Sequence, residues 1–116
     1  MNPQQKYKLK TQETINNNLR KFFEIGTKVD KLKVNRNADL EHELKITEIA
    51  TKLLYEGRNV VIGGKLLNQQ IPDLTVIDLD TPIIYEIGNS EKELNETKKY
   101  PFPITFIKIT GGIVKK

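Results

Sequence analysis

IPDLTVIDLDTPIIYEIGNSE, residues 71–91, reads as two strands joined by a tight turn and followed by a helix start. Pro72 disfavours helix at Ile71 and sets an extended entry. Asp80-Thr81-Pro82 supplies turn chemistry between two apolar runs. With the turn centred on Asp80–Thr81, residues whose numbers sum to about 160 face each other across the hairpin. Asp73, at the entry of the first strand, then lies within one or two pairs of Glu86, near the exit of the second. A carboxylate inside the apolar run IIYEI must be paired, metal-bound or at an open edge. Two carboxylates side by side at the mouth of a sheet suit a divalent cation. They suit a plain polar hairpin end equally well.

Outward from the hairpin, NVVIG at 59–63 is a short buried strand. Before it, residues 39–56 form the clearest helix, with an apolar face of Leu40, Leu44, Ile46, Ile49, Ala50, Leu53 and Leu54. Asn37 or Asp39 caps its start and Gly57 stops it. His42, Glu43 and Lys45 lie along the inward edge of this helix, where a solvated flank is the ordinary reading. After the hairpin, Ser90-Glu91-Lys92-Glu93 matches a capping box and opens a helix to about Lys99. Residues 104–109 alternate as a strand, and Gly111-Gly112 turns into a short terminal piece.

The first 36 residues differ in character. They carry nine Lys/Arg against three Asp/Glu, whereas the remaining 80 carry ten against twelve. Residues 1–10 read as a frayed lead-in. From Thr11 to Gly26 a helix carries the stripe Ile15, Leu19, Phe22 and Phe23, a core or dimer contact, over Asn16–Asn18, which are poor helix formers. A nucleic-acid-binding reading of this arm uses Lys6, Lys8, Lys10, Arg20 and Lys21, continued by Lys28, Lys31, Lys33 and Arg36. A solvated basic helix that binds nothing accounts for the same charges. The chain therefore divides into residues 1–36, a basic helix and connection, and residues 37–116, an α/β core. Its fold class is α/β, a mixed central sheet of about four strands flanked by helices.

Composition narrows the chemistry. There are no cysteines and one histidine, which excludes disulfides, thiolate zinc sites and cysteine nucleophiles. Any metal is held mainly by oxygen, pointing to Mg²⁺ or Mn²⁺. No apolar run approaches membrane-spanning length and the basic N-terminus lacks an apolar signal core, so no membrane partner and a cytoplasmic location (host cytoplasm for a viral protein) are expected.

The order helix, strand, Pro-Asp strand, Glu strand, helix, strand resembles the PD-(D/E)XK nuclease superfamily, the fold of archaeal Holliday junction resolvases and many restriction enzymes. The resemblance covers residues 39–109 and rests on Pro72-Asp73 and on Glu86, with twelve residues between the acids. It implies an αβββαβ core with an extra N-terminal helix. It also implies metal-dependent phosphodiester hydrolysis of branched or single-stranded DNA. Asp73, Glu86 and the Ile87 carbonyl would be the metal ligands, Glu43 the helix carboxylate, and the assembly a homodimer. His42-Glu43-Leu44-Lys45 and the run from Tyr85 to Glu91 are similar to an archaeal and viral resolvase-like branch. That likeness makes His42 and Lys45 active-site residues. The chain departs from the pattern at Gly88, where the superfamily places lysine. Lys45, Lys65, Lys92 or Lys98 can replace that cation. Otherwise the chain is a catalytically inactive nuclease-fold protein that binds nucleic acid or a protein partner.

Overall fold

The computed structural model describes residues 2–88 and 101–108. Two helices, α1 (Pro3–Phe22) and α2 (Leu40–Tyr55), precede strands β1 (Val60–Ile62), β2 (Leu74–Val76), β3 (Ile83–Gly88) and β4 (Ile104–Lys108). The strands form one sheet in the order β1-β2-β3-β4. The first three run as an antiparallel meander, and β4 lies parallel to β3. This is the mixed four-stranded α/β sheet expected. The helix expected at 90–99, with Lys92 and Lys98, and the Gly111-Gly112 turn lie outside the described residues.

The helices cover opposite faces because strand side chains alternate. Val60 and Ile62 of β1, Leu74 and Val76 of β2 and Ile87 of β3 pack with Ile46, Ile49 and Ala50 of α2. Val61, Ile77 and Ile84 turn the other way, toward Ile15, Phe23, Leu66 and Phe102. The Phe22–Phe23 pair is therefore core. Phe23 is buried, and the ring of Phe22 meets Phe102 edge-on with centroids 4.5 Å apart. A partner contact built on that stripe loses its surface.

α1 begins earlier than its composition suggests. The Asn2 side chain accepts from the Gln5 N–H at 2.8 Å, and the Gln5 side chain accepts from the Asn2 N–H at 3.0 Å. This reciprocal cap, with Pro3 in the first turn, starts the helix eight residues before Thr11. Residues 3–10 are helical but exposed, so local capping rather than packing accounts for them. At the other end Phe23 turns extended and bridges Leu66, which stops the helix before Gly26. Asn18 is no accident of composition. It is buried, and its Nδ2 donates to the carbonyls of Ile77 (2.9 Å) and Leu79 (2.8 Å), tying α1 to the exit of β2.

α2 ends as expected. Gly57 is left-handed (φ 85°), its N–H donates to the Leu54 carbonyl, and that of Arg58 donates to Leu53. Its apolar face is narrower than the pattern implies, because Leu40 and Leu44 are exposed. The stripe starts only at Ile46, where the helix comes over the sheet.

Candidate functional site

β2 and β3 are joined by the six residues 77–82, a longer link than the tight turn expected at Asp80–Thr81, and their pairing is centred between Leu79 and Asp80. Leu74 pairs with Tyr85, Thr75 with Ile84 and Val76 with Ile83. One step further along that ladder sets Asp73 opposite Glu86. The two are joined through the backbone: the Ile87 N–H donates to Asp73 Oδ2 at 2.8 Å, and the Asp73 N–H donates to Glu86 Oε2 at 3.3 Å. Glu86 is buried at 2% exposure, and Asp73 is partly open. The same step on the other side sets Gly63 beside Asp73, its N–H donating to the Asp73 carbonyl at 3.2 Å. Gly63, Asp73 and Glu86 thus form one row across the end of the sheet.

The first turn of α2 meets this row at Asp73. His42 Nε2 lies 3.4 Å from Asp73 Oδ2, and its Nδ1 lies 3.0 Å from Glu43 Oε2. Both ring nitrogens face carboxylate oxygens, which suits the doubly protonated imidazolium. Burial, the largest single influence, pushes the His42 pKa down. The Glu43 hydrogen bond and the charge and hydrogen bond of Asp73 together outweigh it, so the pKa is raised above 6.5. The sign of the linkage follows. A group whose folded pKa is raised stabilises the fold fully below its unfolded pKa, and the contribution is lost as pH rises through the folded value. In metal-free protein, denaturant midpoints should fall between about pH 6 and pH 8, and the fall should shrink in His42→Gln. An equal slope in both proteins refutes the pairing.

Glu43 is occupied in a way its sequence position does not announce. Its second oxygen, Oε1, accepts the backbone N–H of Asn35 at 2.7 Å. Residues 27–38 form a strap held at two points. Near its start, Asp30 is left-handed (φ 59°); its N–H donates to the Val60 carbonyl and its Oδ1 accepts the Val60 N–H at 2.8 Å. Near its end, Asn35 is fixed on Glu43. The strap thus covers the open edge of β1 and passes over the acidic row.

The other expected residues separate into those at the site and those elsewhere. Lys45 turns along its own helix to Glu48 (3.4 Å), and Lys65 lies 3.9 Å from Glu24. Ile87 reaches Asp73 through its N–H. Lys33 lines a cleft of about 370 Å³ with Asn35, His42, Glu43, Pro72 and Asp73. Lys28, Lys33 and Lys65 line a second cleft that shares Ile62 and Gly63 with the first. Lys6, Lys8 and Lys10 lie on the exposed start of α1, and Lys31 and Arg36 are exposed on the strap. Arg20 donates to Asn17, and Lys21 sits over the Phe22 ring. Sequence reasoning placed Lys33 only among the phosphate-binding cations and missed Asp30 and Asn35. The one available signal was an Asp in a basic run, a residue that tolerates the left-handed region.

Among the described residues, no three His, Asp or Glu side chains are placed to enclose a metal ion. The donors at Asp73 and Glu86 are nonetheless two hard oxygen ligands. Mg²⁺ is commonly held by one or two carboxylates, with water and substrate phosphate completing its shell. The residue types fit that ion and leave its remaining positions to solvent and substrate. No described helix is long and apolar enough to cross a membrane. Comparison with family models, with curated proteins and with solved structures gives no match.

Proposed function

We propose that this chain is a Mg²⁺- or Mn²⁺-dependent nuclease of the PD-(D/E)XK kind, acting on branched or single-stranded DNA. The observation that carries the reading is the juxtaposition of Asp73 and Glu86 across the β2–β3 hairpin, with His42 of α2 against Asp73 and Glu43 against His42. The element order supports it. A helix is followed by a three-stranded meander and a fourth strand parallel to the third. Asp73, Glu86 and the Ile87 carbonyl would hold the ion. When bound, it supplies positive charge to the scissile phosphate and a more acidic water.

The chain's own residues do the positioning. Hydrolysis adds water across a P–O ester bond, leaving a phosphate monoester and a hydroxyl. The Ile87 N–H fixes one carboxylate and the Asp73 N–H the other, so neither is free to swing. His42 offsets part of the negative charge that Glu43 and Asp73 bring together. A homodimer is part of this reading, since a four-way junction presents paired scissile strands.

Gly88 favours a second reading, a nuclease-like fold that binds nucleic acid without cutting it. One panel separates the two. Labelled single-stranded, duplex and four-way DNA is incubated with the full chain in Mg²⁺, Mn²⁺ or chelator, with Glu86→Ala as control. Cleavage is expected only with a divalent ion and only with the unaltered chain. Salt-dependent binding of all three DNAs with no cleavage in any condition sinks the enzymatic reading and leaves the binding one.

A further inference from the structure

The Asp73–Glu86 row lacks a cation at Gly88, yet one stands over it from another part of the chain. We propose that Lys33, carried on the 27–38 strap, contacts the phosphate that the cleft at Asp73 receives and so takes the place of the lysine absent at Gly88. The assignment rests on the nuclease reading for its chemistry and on four observations for its geometry.

First, Lys33 lines the same cleft as His42, Glu43 and Asp73. Second, its Nζ lies over Gly63: a Cβ built on that glycine would stand 3.9 Å from it. Gly63 is the neighbour of Asp73 in the row that continues to Glu86, so the ammonium is over the row itself. Third, the strap is anchored on both sides of it, by Asp30 on Val60 three residues before and by Asn35 on Glu43 two residues after. An ammonium on a four-carbon stem is mobile, and fixing the backbone on either side limits where it can go. Fourth, the alternatives within the described residues are engaged elsewhere. Lys45 pairs with Glu48 and Lys65 with Glu24, whereas Lys33 makes no ion pair among the described residues.

Lys33 also lines the second cleft, with Lys28 and Lys65. The two clefts share Lys33, Ile62 and Gly63, so they form one groove running from Asp73 to Lys28 and the Lys65–Glu24 pair. A nucleic-acid strand lying in this groove places one phosphate at Asp73 and directs the next toward Lys28. Lys33 stands at the junction of the two.

Two measurements on the full chain test the assignment. In the first, ¹⁵N-labelled protein without metal is titrated with a 5′-phosphorylated thymidine dinucleotide. Amide shifts are expected at Lys33, His42, Gly63 and Asp73. Affinity should fall about tenfold in Lys33→Ala and stay near the original in Lys33→Arg. In the second, cleavage of single-stranded DNA in Mn²⁺ should fall roughly 100-fold in kcat/KM for Lys33→Ala, about tenfold of it as a higher KM and the rest as a lower kcat. Lys52→Ala, an exposed lysine of α2, serves as the neutral control. Unchanged dinucleotide affinity in Lys33→Ala, or no shifts in the cleft of the unaltered protein, overturns the assignment. If the unaltered chain binds the dinucleotide through Lys33 but cuts no DNA, the phosphate contact stands and the nuclease reading falls.

Discussion

Replacing Asn18 by leucine is expected to destabilise the protein by about 3 kcal/mol, because it strips the donor from two carbonyls at once. Nδ2 of Asn18 is the shared donor for Ile77 and Leu79 at the exit of β2. Leucine has the same number of side-chain heavy atoms as asparagine and is the better helix former, so the change opens no cavity and propensity does not oppose it. What remains is the cost of leaving two acceptors unpaired at the interface between helix and sheet. Chemical unfolding should show a lower midpoint with an unchanged slope. Asn17→Ala, one residue earlier but exposed, should stay within about 0.5 kcal/mol. Equal midpoints for Asn18→Leu and the parent chain dispose of the clamp.

On the nuclease reading proposed above, Asp73→Ala and Glu86→Ala are each expected to lower metal-dependent cleavage by about 1,000-fold or more, since each would remove a ligand of the ion. The alanine variants alone confound two effects. Asp73→Ala also takes the acceptor from the buried Ile87 N–H, which costs about 1–3 kcal/mol. Asp73→Asn and Glu86→Gln keep an oxygen for the Ile87 and Asp73 N–H groups but lose the charge a metal requires. They should unfold closer to the parent than the alanine variants do, Asp73→Asn losing only the charge that faces His42, and still fail to cut. Cleavage at the parental rate by both amide variants leaves the two acids as a structural cross-tie only.

The hairpin was legible because its information is local. Asp80-Thr81-Pro82 marks the reversal, although the link is longer than a tight turn and spans 77–82; the alternation of the two apolar runs sets the faces, and together they bring Asp73 to Glu86. The end of α2 was legible for the same reason, since Gly57 alone adopts the left-handed cap. What the sequence hid depends on partners far along the chain. Asn18 reads as a weak helix former until Ile77 and Leu79 are beside it. Leu40 and Leu44 have the spacing of a core face, but the sheet they would meet begins one turn later. Glu43 suits a helix carboxylate aimed at a metal, yet one of its oxygens is spent on Asn35. The reciprocal cap of Asn2 and Gln5 is local, but both residues are common in disordered leaders, and its spacing was outweighed by composition.

The cluster joining Ile15 and Phe23 to Phe102 has a bearing on biosynthesis. Its first members leave the ribosome long before the last. α2 and the meander can assemble on one face while the apolar stripe of α1 still lacks Phe102. With β4 parallel to β3 and anchored by the Ile84 N–H on the Pro103 carbonyl, the other face closes last, through contacts of large sequence separation. Such closure is slow relative to local helix formation. During that interval the nascent chain exposes Phe22 and Phe23, the surface a chaperone would recognise.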